Sequence, residues 1–446
     1  MIEGMRGSVR GGMDAAAPAQ RPSYSFARGG AGRIMVAVGA LGFASGLPYM
    51  LVTDGIAFWL ADAKVPLEQI GLLALVTMPY ALKFLWAPLL DRYPVPLLGG
   101  LGRRRGWLVA LQVACAASLA AIAMTGPEGT APEGWQWLPF AAFGLSLSVI
   151  SASLDIVIDA YRTDALPQWA YGPGASVYVA GYRVASMAGG SLMFLIAARA
   201  GWSAAFVGMG VLMGLTMVAT LLASEPLTCG APATLGEALV GPLRSFARAW
   251  GAWLPALVVF VLLYRLPDLA GNRMVAPLLK DRGYTLDEIA LVRQHLGFAV
   301  TIVGALAGGW IVARIGIARC LLAFGVLQAA SNGAYALLAS SPHSMLHFAI
   351  AVVVENSCNG LVAATFTAYL MSLCDHRFSA AQYALLSGLM FLGGAIASAA
   401  SGFVAGRSGM ASYYWITVLA GLPGIAMVPL ILRVRSRRDA AQGAAA

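Results

Sequence analysis

The chain reads as an all-α membrane protein of about twelve transmembrane helices in two six-helix halves. Three observations predict this. The 446 residues are 59% hydrophobic and only 11% charged, with a mean hydropathy of +0.75. A soluble chain carries roughly a quarter charged residues, so the surplus apolar surface needs lipid. Apolar segments of the length that crosses hydrocarbon, about 20 residues, recur along the chain. Finally, the cations between those segments gather on one side.

The first six segments lie at 34–61, 68–90, 107–125, 137–160, 174–198 and 203–223, and the second six at 252–279, 289–312, 319–339, 346–373, 380–405 and 411–433. With the N-terminus placed in the cytoplasm, nineteen arginines fall on the cytoplasmic side against five outer cations, Lys64, Arg199, Lys280, Arg282 and Arg407. Cytoplasmic loops carry such an excess, so both termini are expected inside. This asymmetry also accounts for the net charge of +9 without invoking nucleic acid. Residues 1–33 are basic, rich in Gly, Ala and Pro, and lack an apolar core of their own, which predicts a disordered cytoplasmic tail. Residues 224–251 form a cytoplasmic linker between halves 34–223 and 252–433, and 434–446 a second tail. The five cysteines are scattered with no C-x-x-C pair, so neither a disulfide framework nor a metal site is expected.

Charges inside spans are rare and face the bundle interior, because each costs a few kcal/mol or more in hydrocarbon. The stretch SLDIVIDAYRTDAL (Ser153–Leu166) puts Asp155, Asp159 and Arg162 on one helix face at spacings of four and three. Asp159 and Arg162 suit a local latch near the cytoplasmic surface. Asp155 sits deeper and suits proton coupling. Lys83, Arg183, Arg265 and Arg293 are candidates for gripping an anionic solute, since a guanidinium fork matches a carboxylate. The competing reading pairs each with an acid, and Lys83 has the further option of snorkelling. YRLPDLAGNRM (Tyr264–Met274) is a polar, proline-broken span, expected to kink at Pro267 and to present Arg265, Asp268 and Asn272 to a binding site. Glu355 is a second candidate proton carrier beside Asp268. Gln328 and Asn359 are amides that bind sugar hydroxyls or join helices.

Two loops echo each other: APLLDRYPVPLLGGLGRRRGW (Ala87–Trp107) and GGWIVARIGIARC (Gly308–Cys320). They resemble the loop motif of the major facilitator superfamily, Gly-x-x-x-Asp-Arg-x-Gly-Arg-Arg. Asp91 and Arg92 match, Ala87 replaces the first glycine and an insertion delays the basic triplet that begins with Arg103. The resemblance implies a latch role for Asp91, Arg92 and Arg103. Longer stretches are similar to AmpG-type muropeptide permeases: GFASGLP (Gly42–Pro48), KFLWAPLLDRY (Lys83–Tyr93), DIVIDAYRTDAL (Asp155–Leu166), GYR (Gly181–Arg183, hence Tyr182), LLYRLPD (Leu262–Asp268) and FSAAQYALLS (Phe378–Ser387). The likeness runs in order from about residue 36 to about 430. It implies a monomeric, proton-coupled importer of GlcNAc–anhydro-MurNAc peptides in a bacterial inner membrane, with no cofactor. Two features depart from the family. Asp54 stands where a small neutral residue is expected, and some members carry two further C-terminal spans. Import of a siderophore or another bulky anion by the same fold is the alternative. The chain lacks a nucleophile elbow and a histidine cluster, which argues against a membrane enzyme.

Overall fold

The structure, a computed structural model, describes residues 30–64, 76–96, 98–127, 138–226 and 232–445. Most of the predicted N-terminal tail, residues 65–75 and Cys229 lie outside the described residues. Every regular element among the described residues is helical. α1 (Gly30–Met50) passes through a π-helical turn at Leu51–Gly55 into α2 (Ile56–Asp62). The second pass comprises α3 (Met78–Leu82), a 3-10 turn at Lys83–Leu85 and α4 (Ala87–Arg92). Pro79 and Pro88 stand in the first turns of α3 and α4, where no backbone N–H is needed. Then come α5 (Arg103–Thr125), α6 (Leu138–Ala165), α7 (Tyr171–Met187), a π turn at Ala188–Leu192 and α8 (Met193–Leu222). Gly201, at φ 86° and ψ 164°, breaks α8 and separates the fifth pass from the sixth.

α9 (Leu235–Trp250) lies between the halves. Its start is doubly capped: Thr234 Oγ1 accepts from the Glu237 N–H at 3.0 Å, and Glu237 Oε2 accepts from the Ala233 N–H at 2.7 Å. Phe246 and Trp250 are buried on one face, while Arg244 and Arg248 are exposed on the other. The second half follows with α10 (Leu254–Tyr264), α11 (Leu266–Asp281), α12 (Leu286–Ile289), a π turn at Ala290–Leu296 and α13 (Gly297–Ile315). α14 (Ile317–Ser340), α15 (Met345–Leu373), α16 (Ser379–Ser408) and α17 (Met410–Ala445) complete it. Ten helical stretches are long and apolar enough to cross a membrane, and one of them, Gln168–Leu222, is the pair that Gly201 divides.

One local reading needs correction, and a second gains detail. The seventh pass breaks at Arg265, not at Pro267 itself, because the proline ring cannot accept the helix of the preceding turn. α17 continues beyond residue 433 through the segment read as a tail, which contains no proline to stop it.

The packing repeats between halves. α5 packs on α6 and α8, as α14 packs on α15 and α17. Helices approach through small residues: a Cβ on Gly181 would lie 2.0 Å from the Gly39 carbonyl oxygen, so α1 and α7 touch backbone to backbone. The halves meet where α7 packs on α13 and α15, and where α16 packs on α3, α4 and α6.

Candidate substrate pathway and gate

In the first half the buried charges form one chain of contacts. The 3-10 turn after α3 turns Lys83 inward, where it is 4% exposed. Its Nζ donates to Asp155 Oδ2 and lies 3.6 Å from Asp159 Oδ2. Asp155 Oδ1 also accepts from Ser45 Oγ at 2.7 Å, and Ser45 Oγ meets the Tyr178 hydroxyl at 3.0 Å. Asp159 Oδ1 pairs with Arg162 at 2.7 Å. The Arg162 guanidinium donates to the Tyr383 hydroxyl of the other half and lies 4.0 Å from the Tyr178 ring centroid. Lys83 is therefore an internal counter-ion and does not snorkel. Five passes converge on this network, through Ser45, Lys83, Asp155, Tyr178 and Tyr383.

The second half carries a looser cluster. Arg265 Nε donates to Asp268 Oδ2 at 3.0 Å across the helix break. Asn272 Nδ2 donates to Glu355 Oε1 at 3.1 Å and to the Asp268 carbonyl at 3.1 Å. Glu355 has no ion pair among the described residues. Tyr413 and Tyr414 donate to the Ala270 and Gly271 carbonyls at 2.8 and 3.2 Å, fastening α11 just after its break. Arg183 reaches across from the first half and donates to Asn359 Oδ1 at 3.3 Å. It lies within electrostatic reach of Tyr182, Arg265 and Glu355. Gln328 makes no bond to them: it is buried beside Asp268, lining a cavity of about 10 Å³, with neither amide atom hydrogen-bonded among the described residues. Asp54 is exposed within the π turn and unpaired among the described residues.

The latch differs from its sequence reading by one residue. Asp91 pairs with Arg104, not Arg103, at 2.8 Å. Arg104 is fully buried, pairs also with Asp164 at 3.0 Å and donates to Ser379 Oγ at 2.8 Å. Asp91 in turn accepts from the Ala381 and Ala380 N–H groups at 2.8 and 3.3 Å, capping the first turn of α16 from the opposite half. Arg103 donates to the Asp91 backbone carbonyl, and Arg92 to the Pro232 carbonyl at 2.6 Å. Glu225 accepts from the Arg104 and Arg105 N–H groups at 2.8 Å each, orienting the start of α5. His376 Nδ1 stands 3.5 Å from Asp164 Oδ1. Asp164, Ser379 and Tyr383 were not among the sequence candidates. The basic triplet contained the signal for Arg104, but the insertion before it hid which arginine faces inward.

A bundle of two six-pass halves, with charges buried inside each and a charged gate at one end of their interface, defines a membrane transporter. A profile of the Major Facilitator Superfamily matches residues 31–398, and the chain belongs to that family. It is 38% identical over 391 residues to the anhydromuropeptide permease of Escherichia coli strain K12, covering 87% of this chain and 77% of the relative, and belongs with the AmpG-type permeases. A protein of Haemophilus influenzae is 31% identical, with 88% of this chain and 93% of that one covered. Solved structures share the fold. The proton:xylose symporter XylE matches with TM-score 0.66 at 13% identity, covering 89% of this chain and 94% of the other. The human organic anion transporter MFSD10 matches with TM-score 0.64 at 14% identity, covering 89% and 99%. The protein is a multi-pass membrane transporter, not an enzyme.

Proposed function

We propose that the protein imports GlcNAc–anhydro-MurNAc peptides across a bacterial inner membrane, with the basic end of the bundle in the cytoplasm. The observation that carries this reading is the 38% identity to the anhydromuropeptide permease over 87% of the chain. The buried charges suit the cargo. Muropeptides bear carboxylates, and Arg183 and Arg265 face one another's field between the halves.

The same charges suggest how cargo and proton are coupled. Arg265 is neutralised by Asp268 in this state. A substrate carboxylate that takes over Arg265 leaves Asp268 a buried, unpaired anion, which is costly unless a proton neutralises it. Protonation of Asp268 correspondingly frees Arg265 for cargo, so each binding event favours the other. Glu355, bonded to an amide and within reach of Arg183 but in no ion pair among the described residues, breaks no salt bridge on protonation and is the simplest proton carrier of the three acids. Asp155, clamped by Lys83, serves better as the fixed end of the first-half network. Protons move inward with the membrane field, at about 2.3 kcal/mol per charge per 100 mV.

The test is uptake of labelled anhydromuropeptide into right-side-out vesicles under an imposed pH gradient. The unsubstituted chain is expected to accumulate it, and Glu355→Gln to lose accumulation while keeping exchange without a gradient. Uptake of a ferric siderophore but no muropeptide would replace the substrate. Full gradient-driven uptake by Glu355→Gln would move the coupling role to another acid.

A further inference from the structure

One cavity lies apart from the buried charges of the two halves. It is a groove of about 720 Å³ at the basic end, built across the two halves. Gln168 and Gly172 line it from the first half, and Val312, Ile317, Leu432 and Arg433 from the second. None of the described lining residues is acidic. Arg433 is exposed and has no acidic partner among the described residues. Its depth is set by α17, whose apolar run Met427–Leu432 gives way to Arg433, Arg435, Arg437 and Arg438, so Arg433 sits where the span leaves hydrocarbon. Trp169, also in the wall, is 66% exposed at the same level. An arginine and a tryptophan at one end of a span mark the headgroup layer.

We infer that this groove binds an anionic phospholipid, with the phosphodiester on Arg433 and the first acyl carbons along Val312, Ile317 and Leu432. The charge complementarity, the apolar wall and the interfacial depth all fit that occupant, and basic pockets between spans suit such headgroups. The groove also has a conformational consequence. Its two walls belong to different halves and are held together beside the Gly172–Gly309 contact, where a Cβ on Gly172 would lie 2.5 Å from Val312 Cγ1. Opening the basic end separates the walls and destroys the groove. A lipid that binds only the assembled groove therefore favours the state with the basic end shut.

The full chain is reconstituted in nanodiscs of phosphatidylcholine with or without phosphatidylglycerol. The conformational probe is Ala380→Cys, a site buried between the halves, with the unsubstituted chain giving the background from native cysteines. Phosphatidylglycerol is expected to slow thiol labelling at this site severalfold. Arg433→Gln and the groove-filling Ala313→Trp should each abolish that slowing while labelling normally in phosphatidylcholine alone. Persistence of the lipid effect in either variant overturns the site. So does equal protection by soluble glycerol 3-phosphate, which would mean a free-anion site and not a lipid groove.

Discussion

Arg104 illustrates how one side chain holds two halves together. Its guanidinium serves Asp91, Asp164 and Ser379 at once, with no exposed surface. Removing it leaves two carboxylates buried and unpaired, a loss of about 3–5 kcal/mol by analogy with broken buried pairs. Arg104→Ala is therefore expected to lower the thermal unfolding midpoint in detergent, and Arg104→Lys to recover only part, because a single ammonium nitrogen replaces the separate Nε and Nη2 donors that reach Asp164 and Asp91. An Arg104→Ala protein as stable as the parent would show the triad to be energetically idle. His376 adds a pH-sensitive contact to the same acid. It lies in the loop between α15 and α16, and hydrogen bonding to Asp164 holds its pKa above the ordinary histidine value, against the opposing effect of burial. Asp375 beside it acts in the same direction, while Arg104 lies beyond Asp164. A raised value means that the contact is fully present below about pH 6.5 and fades as pH climbs through the raised value. Labelling at Ala380→Cys should accordingly rise with pH above that point by more than the growing thiolate fraction requires, and His376→Asn should remove the excess. An unchanged profile would remove His376 from the gate.

At the scale of elements, the long apolar passes could be read from hydropathy because lipid demands a continuous run of residues. The breaks between them were less legible. The 3-10 turn at Lys83–Leu85 and the π turns within the first, fifth and eighth passes leave no signature comparable to a proline. Yet it is the first of these that aims Lys83 at Asp155. Local pairs such as Asp159–Arg162 and Arg265–Asp268 follow from a three-residue helical spacing. Partners on other passes, such as Tyr383 for Arg162 or Ser379 for Arg104, do not, since nothing in one sequence states which helices become neighbours. The contact between α7 and α13 is the clearest case. A Cβ on Gly309 would lie 2.4 Å from Ser176 Oγ and 2.7 Å from the Gly172 carbonyl oxygen. Backbone cannot yield as a side-chain tip can, so Gly309→Val should push the helices apart at the basic end, with overpacking of about 1–3 kcal/mol. Faster labelling of Ala380→Cys, in a protein that still inserts, is the expected readout. Unaltered labelling would mean that α7 and α13 accommodate the side chain without separating.

For the whole molecule, the hydrogen bonds named here between halves run from the basic end to mid-bundle: Asp91 with Ala380 and Ala381, Arg104 with Ser379, Arg162 with Tyr383, and Arg183 with Asn359. These contacts close the bundle at its basic end, the side assigned above to the cytoplasm. Transport by alternating exposure requires these contacts to break in every cycle, with each half moving as a body because its own helices are locked by close glycine contacts. A bond fixed across the interface should therefore stop transport without harming either half. Ala81 and Gly388 offer a place: a Cβ on Gly388 would lie 3.5 Å from the Ala81 carbonyl oxygen. Ala81→Cys with Gly388→Cys, in a chain whose native cysteines are replaced by alanine, is expected to lose uptake on oxidation and regain it with reductant. Each single variant should be insensitive. If the oxidised pair transports at the rate of the reduced pair, the two halves do not part at this interface, and the closed basic end is a permanent seal and not a gate.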